Sequence, residues 1–265
     1  MMSMIRAKEV QGYREIVGSN NGELKLLTFG VLTLEAGEHY DSVTENQEKV
    51  LILLQGSVQV EVDGKVFDGT RKNVFADRAN AFYLPLGSSF TVKNVGSVRL
   101  QAALCGTPSD EKHEAFQVTP NDVWARSVGK DNWQRDVHDI VVKGAEGRVS
   151  HIIVGETFNQ AGMWSSFPPH KHDNYVPGVE ANMEEVYYYQ LNPEQGFGLQ
   201  ANYSNDGSVD EAFRVQHGDT FMVSKGYHPV CAAGGYQLYY LWVMAGPTDR
   251  IMIPNDDPAH SWVKN

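Results

Sequence analysis

Short runs of β-branched, aromatic and aliphatic residues, separated by turn-forming residues, dominate the hydrophobic pattern of the chain. The segment 51–67, LILLQGSVQVEVDGKVF, contains two such runs joined by Asp63-Gly64, a pair that readily takes the positive φ angles of a two-residue hairpin turn. Gly, Pro, Asn and Asp punctuate the chain at intervals typical of an antiparallel sandwich or barrel, so the pattern predicts an all-β fold. Further strand-like runs cover residues 82–86, 90–95, 98–104, 150–158, 185–191, 220–224 and 236–245.

Helical periodicity is nearly absent from the chain. The best candidate is the segment 120–125, PNDVWA, where the side chain of Asn121 or Asp122 would cap the first turn by accepting a hydrogen bond from a backbone N–H. We therefore expect one short helix there, and no long amphipathic helix elsewhere.

The two halves of the chain carry similar landmarks in the same order. Glu48 and Glu185 each precede a strand-like run, and they lie 137 positions apart. Gly87 and Gly226 each follow a second run, and they lie 139 positions apart. Two landmarks with nearly one offset predict two copies of one β-domain. The expected domains are residues 1–116 and 117–265.

Composition and charge limit the classes of function. The chain has 265 residues, of which 42% are hydrophobic, enough for one large domain or two small ones with a substantial core. Its 22 Lys and Arg residues against 33 Asp and Glu residues give a net charge of -11. This charge argues against a nucleic-acid-binding protein, because such binding depends on cations that displace counterions. The net charge is compatible with a small anionic ligand, which needs only one or two local cations.

The sequence also predicts a location. The two cysteines, Cys105 and Cys231, are too few for a disulfide framework and fit a reducing compartment. The segment MMSMIRAKEV lacks the apolar stretch of a secretory signal, and the longest apolar run, 238–245, is far shorter than the roughly 20 residues that a membrane span needs. We expect a cytoplasmic protein without a membrane or nucleic-acid partner. A homo-oligomer is left open.

A group of histidines and glutamates indicates a metal site. In FPPHKHD, His170 and His172 lie two positions apart, and alternate side chains of an extended strand share a face. A His-x-His pair alone is more often incidental, but here Glu184-Glu185 begins a later strand and His228 follows another. Three imidazoles and one carboxylate suit Zn²⁺, Mn²⁺ or Fe²⁺ and leave open positions for a substrate.

Two motifs resemble those of the cupin superfamily of jelly-roll barrels, namely Gly162-x7-His170-x-His172 and Gly218-Asp219-x6-Gly226-x-His228. More specifically, four segments resemble the 5-deoxy-glucuronate isomerase family of bacterial inositol catabolism. They are WSSFPPHKHD (164–173), EEVYYYQLNPEQGFGLQ (184–200), GYHPV (226–230) and YYLWVMAGP (239–247). A more distant likeness is to the pectin-pathway uronate ketol-isomerase, which shares a His-x-His pair, a Glu-Val-Tyr strand start and a late His.

The resemblance implies a bicupin, two jelly-roll barrels in one chain, with its metal in the second. Glu185 is favoured over Glu184 as a ligand because it fills the Glu-Val-Tyr position of the related isomerase, and alternation sends Glu184 the other way. The implied ligands are His170, His172, Glu185 and His228.

The first domain departs from the pattern of the second. Ser89 stands where the second copy has its late histidine, and only His39 and Glu48 remain of a ligand set. One imidazole and one carboxylate hold a catalytic metal poorly. We therefore expect the domain 1–116 to be metal-free.

The resemblance further implies an aldose–ketose isomerase that converts 5-deoxy-glucuronate to 5-dehydro-2-deoxy-gluconate through an enediolate during myo-inositol degradation. A metal would stabilise the negative oxygen, and a positioned base would move the proton between carbons. The sequence does not choose the base. The candidates are Glu184, the metal-bound Glu185, Tyr187 and Tyr189.

The carboxylate end of a uronate requires a cation. Arginine binds a carboxylate through two parallel hydrogen bonds, so Arg148, the first choice, and Arg135 are the candidates, each with a surface or inter-domain ion pair as the alternative. Lys171 lies between the two histidines and is expected to point away from the metal into a salt bridge. Gln200 is a candidate donor to a sugar hydroxyl.

Two other functions use the same residues. An iron-dependent cupin dioxygenase needs the same ligand set to activate O₂. A sugar-binding cupin without turnover is the second alternative, although binding modules often lose a ligand and this chain has the complete set.

Overall fold

The computed structural model describes residues 3–18, 23–247 and 250–264. The chain divides into two compact units. The first unit comprises residues 9–124 and 139–154, and the second comprises the described parts of 1–8, 125–138 and 155–265. The units therefore interleave along the sequence, whereas the expected domains met at one boundary after residue 116, and those domain limits stay a prediction.

The strands of the first sheet are β2 (Gly12–Val17), β3 (Thr28–Leu34), β4 (His39–Val43), β5 (Gln47–Val62), β6 (Lys65–Arg71), β7 (Ala81–Leu84), β8 (Ser89–Asn94), β9 (Leu100–Pro108) and β10 (Phe116–Val118). They form a nine-stranded antiparallel sheet in the order β10-β7-β5-β9-β3-β2, with β6 and β8 paired to the second half of β5 and β4 paired to β8. The long strand β5 thus belongs to two layers. Alternate residues from both layers form the core of this unit, including Leu51, Leu53, Val58, Val60, Phe82 and Val92.

The remaining strands are β1 (Met4–Ile5), β11 (Trp124–Val128), β12 (Arg135–Val141), β13 (Ile153–Asn159), β14 (Trp164–Ser165), β15 (His170–Lys171), β16 (Glu184–Asn192), β17 (Gly198–Tyr203), β18 (Asp210–Val215), β19 (Thr220–Val223), β20 (Val230–Ala232), β21 (Gln237–Ala245) and β22 (Asn255–Asp256). A seven-stranded sheet has the order β1-β19-β16-β21-β13-β12-β11, and a four-stranded sheet has the order β14-β20-β17-β18. Strands β15 and β22 form a separate pair.

The two units repeat one local arrangement. Strand β5 lies between β7 and β9, as β16 lies between β19 and β21. Glu48 on β5 is opposite Thr107, and Glu185 on β16 is opposite Met244, so both cross-strand pairs shift by 137 positions. The sequence offset between the halves therefore matches equivalent places in the two sheets.

The predicted hairpin is confirmed. Strands β5 and β6 pair in register from Gly56 with Arg71 to Val62 with Lys65. The turn residue Asp63 has a φ of 48° and Gly64 has a φ of 75°, the positive values that a tight two-residue connection needs.

The predicted helix over 120–125 is wrong. The Asp122 carboxylate accepts hydrogen bonds from the backbone N–H of Thr119 at 2.9 Å and from its hydroxyl at 2.6 Å, which closes a turn. The chain then continues as β11, with Val123 buried and Trp124 exposed. Helical structure in the described residues consists of two one-turn 3₁₀ helices, Asp131–Trp133 and Ser261–Lys264. Among these same residues, no helix is long and apolar enough to cross a membrane.

Candidate metal centre

Three histidines of the second unit converge. His170 lies in β15, which pairs with β22, and His172 follows directly after that strand. His228 follows the turn at Gly226, whose φ of 89° is left-handed. The ring of His228 is 5.0 Å from that of His170 and 4.9 Å from that of His172, whereas the rings of His170 and His172 are 6.4 Å apart.

Glu185 completes the group from β16. Its Oε2 atom is 3.1 Å from Nε2 of His172 and 3.4 Å from Nε2 of His228. His172, Glu185 and His228 are buried, and each offers one ligand atom within 4.8 Å of the others, so this trio could hold a metal ion. His170 faces the same space with its ring but is not one of the trio. We call these four residues, His170, His172, Glu185 and His228, the metal group.

The electrostatics of the group favour a charged carboxylate. Burial alone would raise the pKa of Glu185, but the hydrogen bond with His172 and the positive charge that His172 and His228 carry when protonated outweigh it and lower that pKa to about 2. Burial lowers the pKa of His170 well below its usual value, and the neighbouring histidines lower it further, so this imidazole is neutral at pH 7. A neutral imidazole and an ionised carboxylate are the forms that bind a metal.

The histidine hydrogen bonds fit a metal ion as well. Nδ1 of His172 donates to the carbonyl of Met183 at 2.8 Å, and Nδ1 of His228 donates to the carbonyl of Gly226 at 2.9 Å. These bonds turn both Nε2 atoms toward Glu185. Nε2 of His228 is buried and makes no hydrogen bond within the described part of the chain. A buried nitrogen without a hydrogen-bond partner, aimed at a carboxylate and a second imidazole, is what a bound cation would satisfy.

A cavity opens beside these residues. Its polar lining outside the ligand group includes two arginines, two tyrosines and Ser166. Met183, Met244 and Trp242 give it an apolar wall. The full lining is Arg126, Arg135, Val137, Thr157, Ser166, His170, His172, Met183, Glu185, Tyr187, Tyr240, Trp242, Met244, Met252, Ile253 and Pro254.

Sequence and structure comparisons decide the family. The profile of the KduI/IolB family matches residues 4–263. The chain belongs to the KduI/IolB family. The 5-deoxy-glucuronate isomerase of Halalkalibacterium halodurans is 37% identical to it over 250 residues, which cover 93% of this chain and 91% of that protein. The 5-deoxy-glucuronate isomerase of Bacillus subtilis strain 168 is 34% identical with the same coverage.

Solved structures agree with this KduI/IolB assignment. A crystal structure of an IolB-like protein from Salmonella typhimurium LT2 has a TM-score of 0.93 and 32% identity, and each chain is covered completely by the other. The cupin oxalate decarboxylase of Lactobacillus farciminis has a TM-score of 0.67 at 11% identity, covering 97% of this chain and 88% of that one. At that identity the likeness concerns the fold alone, and the predicted all-β cupin fold is confirmed.

The cavity of this KduI/IolB chain holds one of the two predicted arginines. Arg135 is half-buried, donates to the carbonyl of Trp133 at 3.2 Å and lies over the Trp133 ring. The pKa of Arg135 is lowered. Burial is the main cause and the charge of Arg126 adds to it, whereas the neighbouring tyrosines act in the opposite direction. Within the described residues, no carboxylate forms an ion pair with Arg135. The other arginine, Arg148, stacks on the ring of Phe116 in the first unit, 3.8 Å from its centroid, and does not line the cavity.

The three proton-transfer candidates lie in different places. Tyr187 lines the cavity, and its hydroxyl is 2.8 Å from Oγ of Ser166. Tyr189 is turned toward Gln200 and donates to its Oε1 atom at 2.7 Å. Glu184 is not among the lining residues.

Gln200, predicted to contact a sugar hydroxyl, is committed to the backbone. Its Nε2 atom donates to the carbonyls of Ala201 and His228, each at 2.8 Å. The side chain is fully buried and does not line the cavity. These contacts hold the backbone at His228, one of the converging histidines.

Three cavity residues were missed by sequence reasoning. Arg126, Ser166 and Tyr240 lie on separate segments, and no shared spacing marks them as a group. Ser166 has one signal, since its φ of 48° is left-handed, and strained non-glycine residues cluster at functional sites. That signal belongs to the structure rather than to the sequence.

The equivalent position in the first unit has a different role. Glu48 accepts from the hydroxyl of Tyr83 at 2.8 Å. Its oxygens also accept from the backbone N–H groups of Ser150, His151 and Ile152 at 2.6 to 2.8 Å. Its carboxylate is fully engaged by donors, whereas Glu185 faces imidazoles.

Proposed function

We propose that the protein is a metal-dependent 5-deoxy-glucuronate isomerase. It converts 5-deoxy-glucuronate to 5-dehydro-2-deoxy-gluconate in myo-inositol degradation, an aldose–ketose isomerisation that moves the carbonyl from C1 to C2. The observation that carries the proposal is the buried group of His172, Glu185 and His228. It lies in a chain whose relatives, 34–37% identical to it, are named 5-deoxy-glucuronate isomerase.

The metal ligands in this proposal are His170, His172, Glu185 and His228. Their nitrogen and carboxylate oxygen donors suit Zn²⁺ best, with Mn²⁺ or Fe²⁺ as alternatives. When bound, the metal supplies a Lewis acid for the negative charge that develops on the substrate oxygens. The unpartnered Nε2 of His228 and the ionised Glu185 support this assignment.

Tyr187 is proposed to act as a proton donor at the substrate oxygens. Burial, with the nearby Glu185 charge, raises the pKa of Tyr187 well above its usual value, so its Oη atom keeps its proton at neutral pH. Ser166 orients that hydroxyl through their 2.8 Å hydrogen bond. Glu184 and Tyr189 stay predictions as proton-transfer residues, and their positions outside the cavity lining make Tyr187 the first choice.

Arg135 is proposed to receive the substrate carboxylate. Its half-buried guanidinium lines the metal-group cavity and forms no ion pair with a carboxylate in the described chain, which leaves it suited to bind an anion. Arg126 adds a second positive charge to the same cavity. Arg148 and Gln200 stay predictions as substrate contacts.

The proposed location is the cytoplasm. Cys105 is buried and Cys231 is half-buried, and both are free thiols, as expected in a reducing compartment. The proposed partner is the small-molecule uronate. Homo-oligomerisation stays a prediction.

The proposal is tested by an assay for the ketose product from 5-deoxy-glucuronate under anaerobic conditions with Zn²⁺, together with the metal content of the purified protein. Glu185→Gln is expected to lose bound metal and activity, because it removes the carboxylate between two imidazoles. Its neighbour Glu184→Gln is the matched control and is expected to keep its metal. His170→Ala is expected to lose activity.

Three results would contradict parts of the proposal. No ketose from the parent protein would remove the assigned reaction. A requirement for O₂ would favour the dioxygenase reading. Full activity in both His170→Ala and Glu185→Gln would show that the metal group does not take part.

A further inference from the structure

The three proposed histidine ligands come from two separate segments, which one carboxylate joins. Asp173 directly follows the His-x-His pair, and its Oδ1 atom accepts from Nζ of Lys171 at 2.6 Å. Its Oδ2 atom accepts from the backbone N–H of Gly226 at 2.7 Å, in the turn that leads to His228. The Asp173 side chain is only 14% exposed, so water competes little for these bonds.

The bond to Gly226 continues to the imidazole. The same glycine accepts from Nδ1 of His228 through its carbonyl at 2.9 Å. Asp173 therefore fixes the residue whose carbonyl sets the tautomer and direction of His228. Partners of this kind around a metal-binding histidine orient the ring and tune its affinity.

A second carboxylate, that of Glu180, holds Lys171 and the backbone of Asp173 in place. Glu180 is almost fully buried, and its Oε1 atom accepts from Nζ of Lys171 at 2.8 Å and from the backbone N–H of Asp173 at 3.0 Å. Its Oε2 atom accepts from Nδ2 of Asn255 at 2.8 Å, in the strand that pairs with β15. Asp173 is thus held in place by its own backbone and by the lysine between the two histidines.

We propose that Asp173 is a positioning residue that couples the His170–His172 segment to His228. Its carboxylate bonds to none of the four proposed ligand side chains and does not line the cavity, and it acts through Lys171 and Gly226. This inference rests on the metal centre of the proposed function. It adds that the centre is preformed by a charged contact between two segments more than fifty residues apart, 173 and 226.

The test measures metal affinity in the full chain. Metal-stripped parent protein and Asp173→Ala are titrated with Zn²⁺ against a chelator of known affinity, and the visible spectrum of the Co²⁺ form reports ligand geometry. We expect Asp173→Ala to bind Zn²⁺ about 10- to 100-fold more weakly, the usual effect of removing a partner of a metal ligand, and to show an altered Co²⁺ spectrum. Asp173→Asn keeps one acceptor oxygen and should lose less.

Asp122→Ala is the matched control. Asp122 also holds a turn, by accepting from the backbone N–H and the hydroxyl of Thr119, but it is exposed and contacts neither ligand segment. It should keep the parent affinity. A melting temperature measured on each metal-free variant separates folding from binding, and Asp173→Asn serves if Asp173→Ala does not fold.

Two outcomes overturn the inference. If the parent binds Zn²⁺ and the Asp173 variants bind it with the same affinity and Co²⁺ spectrum, Asp173 does not position His228, even if the variants melt earlier. If the parent protein itself binds neither metal, the proposed metal centre fails, and the inference fails with it.

Discussion

At the scale of single residues, alternation along β16 sorts neighbouring side chains between two environments. Glu185 and Tyr187 face the metal group and its cavity, whereas Glu184 and Tyr188 point to the opposite face. Each of these two cavity residues therefore has a neighbour of the same residue type outside the cavity. This provides matched variants in which the same atoms are removed from the same strand.

Tyr187→Phe is expected to lower kcat by roughly 10²-fold, the low end of what a positioned proton-transfer group contributes. Bound metal should be unchanged, because the hydroxyl contacts Ser166 rather than a proposed ligand. Tyr188→Phe, on the other face of β16, should keep the parent kcat. Steady-state kinetics with the metal content of each variant checks this, and equal kcat values in the two variants would contradict the role of Tyr187.

Arg135→Met is expected to raise KM for 5-deoxy-glucuronate by about 10- to 100-fold, because a hydrogen bond to a charged group contributes roughly 1.5–3 kcal/mol. Metal affinity should stay close to that of the parent protein. Arg148→Met, measured in parallel, decides between the two predicted cations. A larger rise in KM there than in Arg135→Met would move the carboxylate site to Arg148.

At the scale of elements, two constraints act on the turn at Gly226. It has a left-handed φ of 89°, and a Cβ atom there would lie 2.6 Å from the carbonyl oxygen of Tyr203. The conformation of the backbone is therefore restricted just before His228. Glycine is required here by space as well as by conformation.

Gly226→Ala is expected to destabilise the fold by at least about 1 kcal/mol more than Gly207→Ala. Both glycines have positive φ, which costs an L-residue roughly 1–2 kcal/mol, but a Cβ at Gly207 meets nothing within 4 Å. Gly226→Ala should also weaken Zn²⁺ binding, since it displaces His228. Urea unfolding with Zn²⁺ titration measures both effects. Equal losses of stability in the two variants would show that the close approach to Tyr203 is relieved without cost.

Local contacts explain what could be predicted from the sequence. The Asp63-Gly64 hairpin and the shared face of His170 and His172 depend on neighbours in the chain, and the hairpin is confirmed. The helix prediction failed because the Asp122 carboxylate bonds to Thr119 and closes a turn instead. The bond from Gly226 to Asp173 joins segments distant in sequence, so no spacing could reveal it.

At the scale of the whole molecule, the two units share one strand arrangement but use its equivalent glutamates differently. Glu48 and Glu185 occupy equivalent places on β5 and β16, yet one binds backbone N–H groups and the other faces imidazoles. A buried carboxylate needs donors or cations in either case. In the first unit the donors are backbone N–H groups and the Tyr83 hydroxyl, so the Glu48 carboxylate stabilises the fold.

Glu48→Ala is expected to lower the free energy of unfolding by at least about 3 kcal/mol, because it leaves three backbone N–H groups and the Tyr83 hydroxyl without their acceptor, at roughly 1–3 kcal/mol each. The folded variant should keep the parent metal content. Glu185→Ala should do the reverse, losing metal with a smaller loss of metal-free stability. Chemical denaturation and elemental analysis compare the two, and metal loss in Glu48→Ala would contradict this division of roles.

The short strand β1 decides how the second unit can be obtained. It pairs with β19 through Met4 and Phe221, and Asp219 binds both the Arg6 guanidinium and the N–H of Ala7. During synthesis β1 and Arg6 are made first, and their partners follow more than 200 residues later. A fragment cut from the middle of the chain onward would expose the open edge of β19, a surface on which strands of other copies can add. The half with the candidate metal centre therefore cannot be separated by a single cut without creating a site for aggregation.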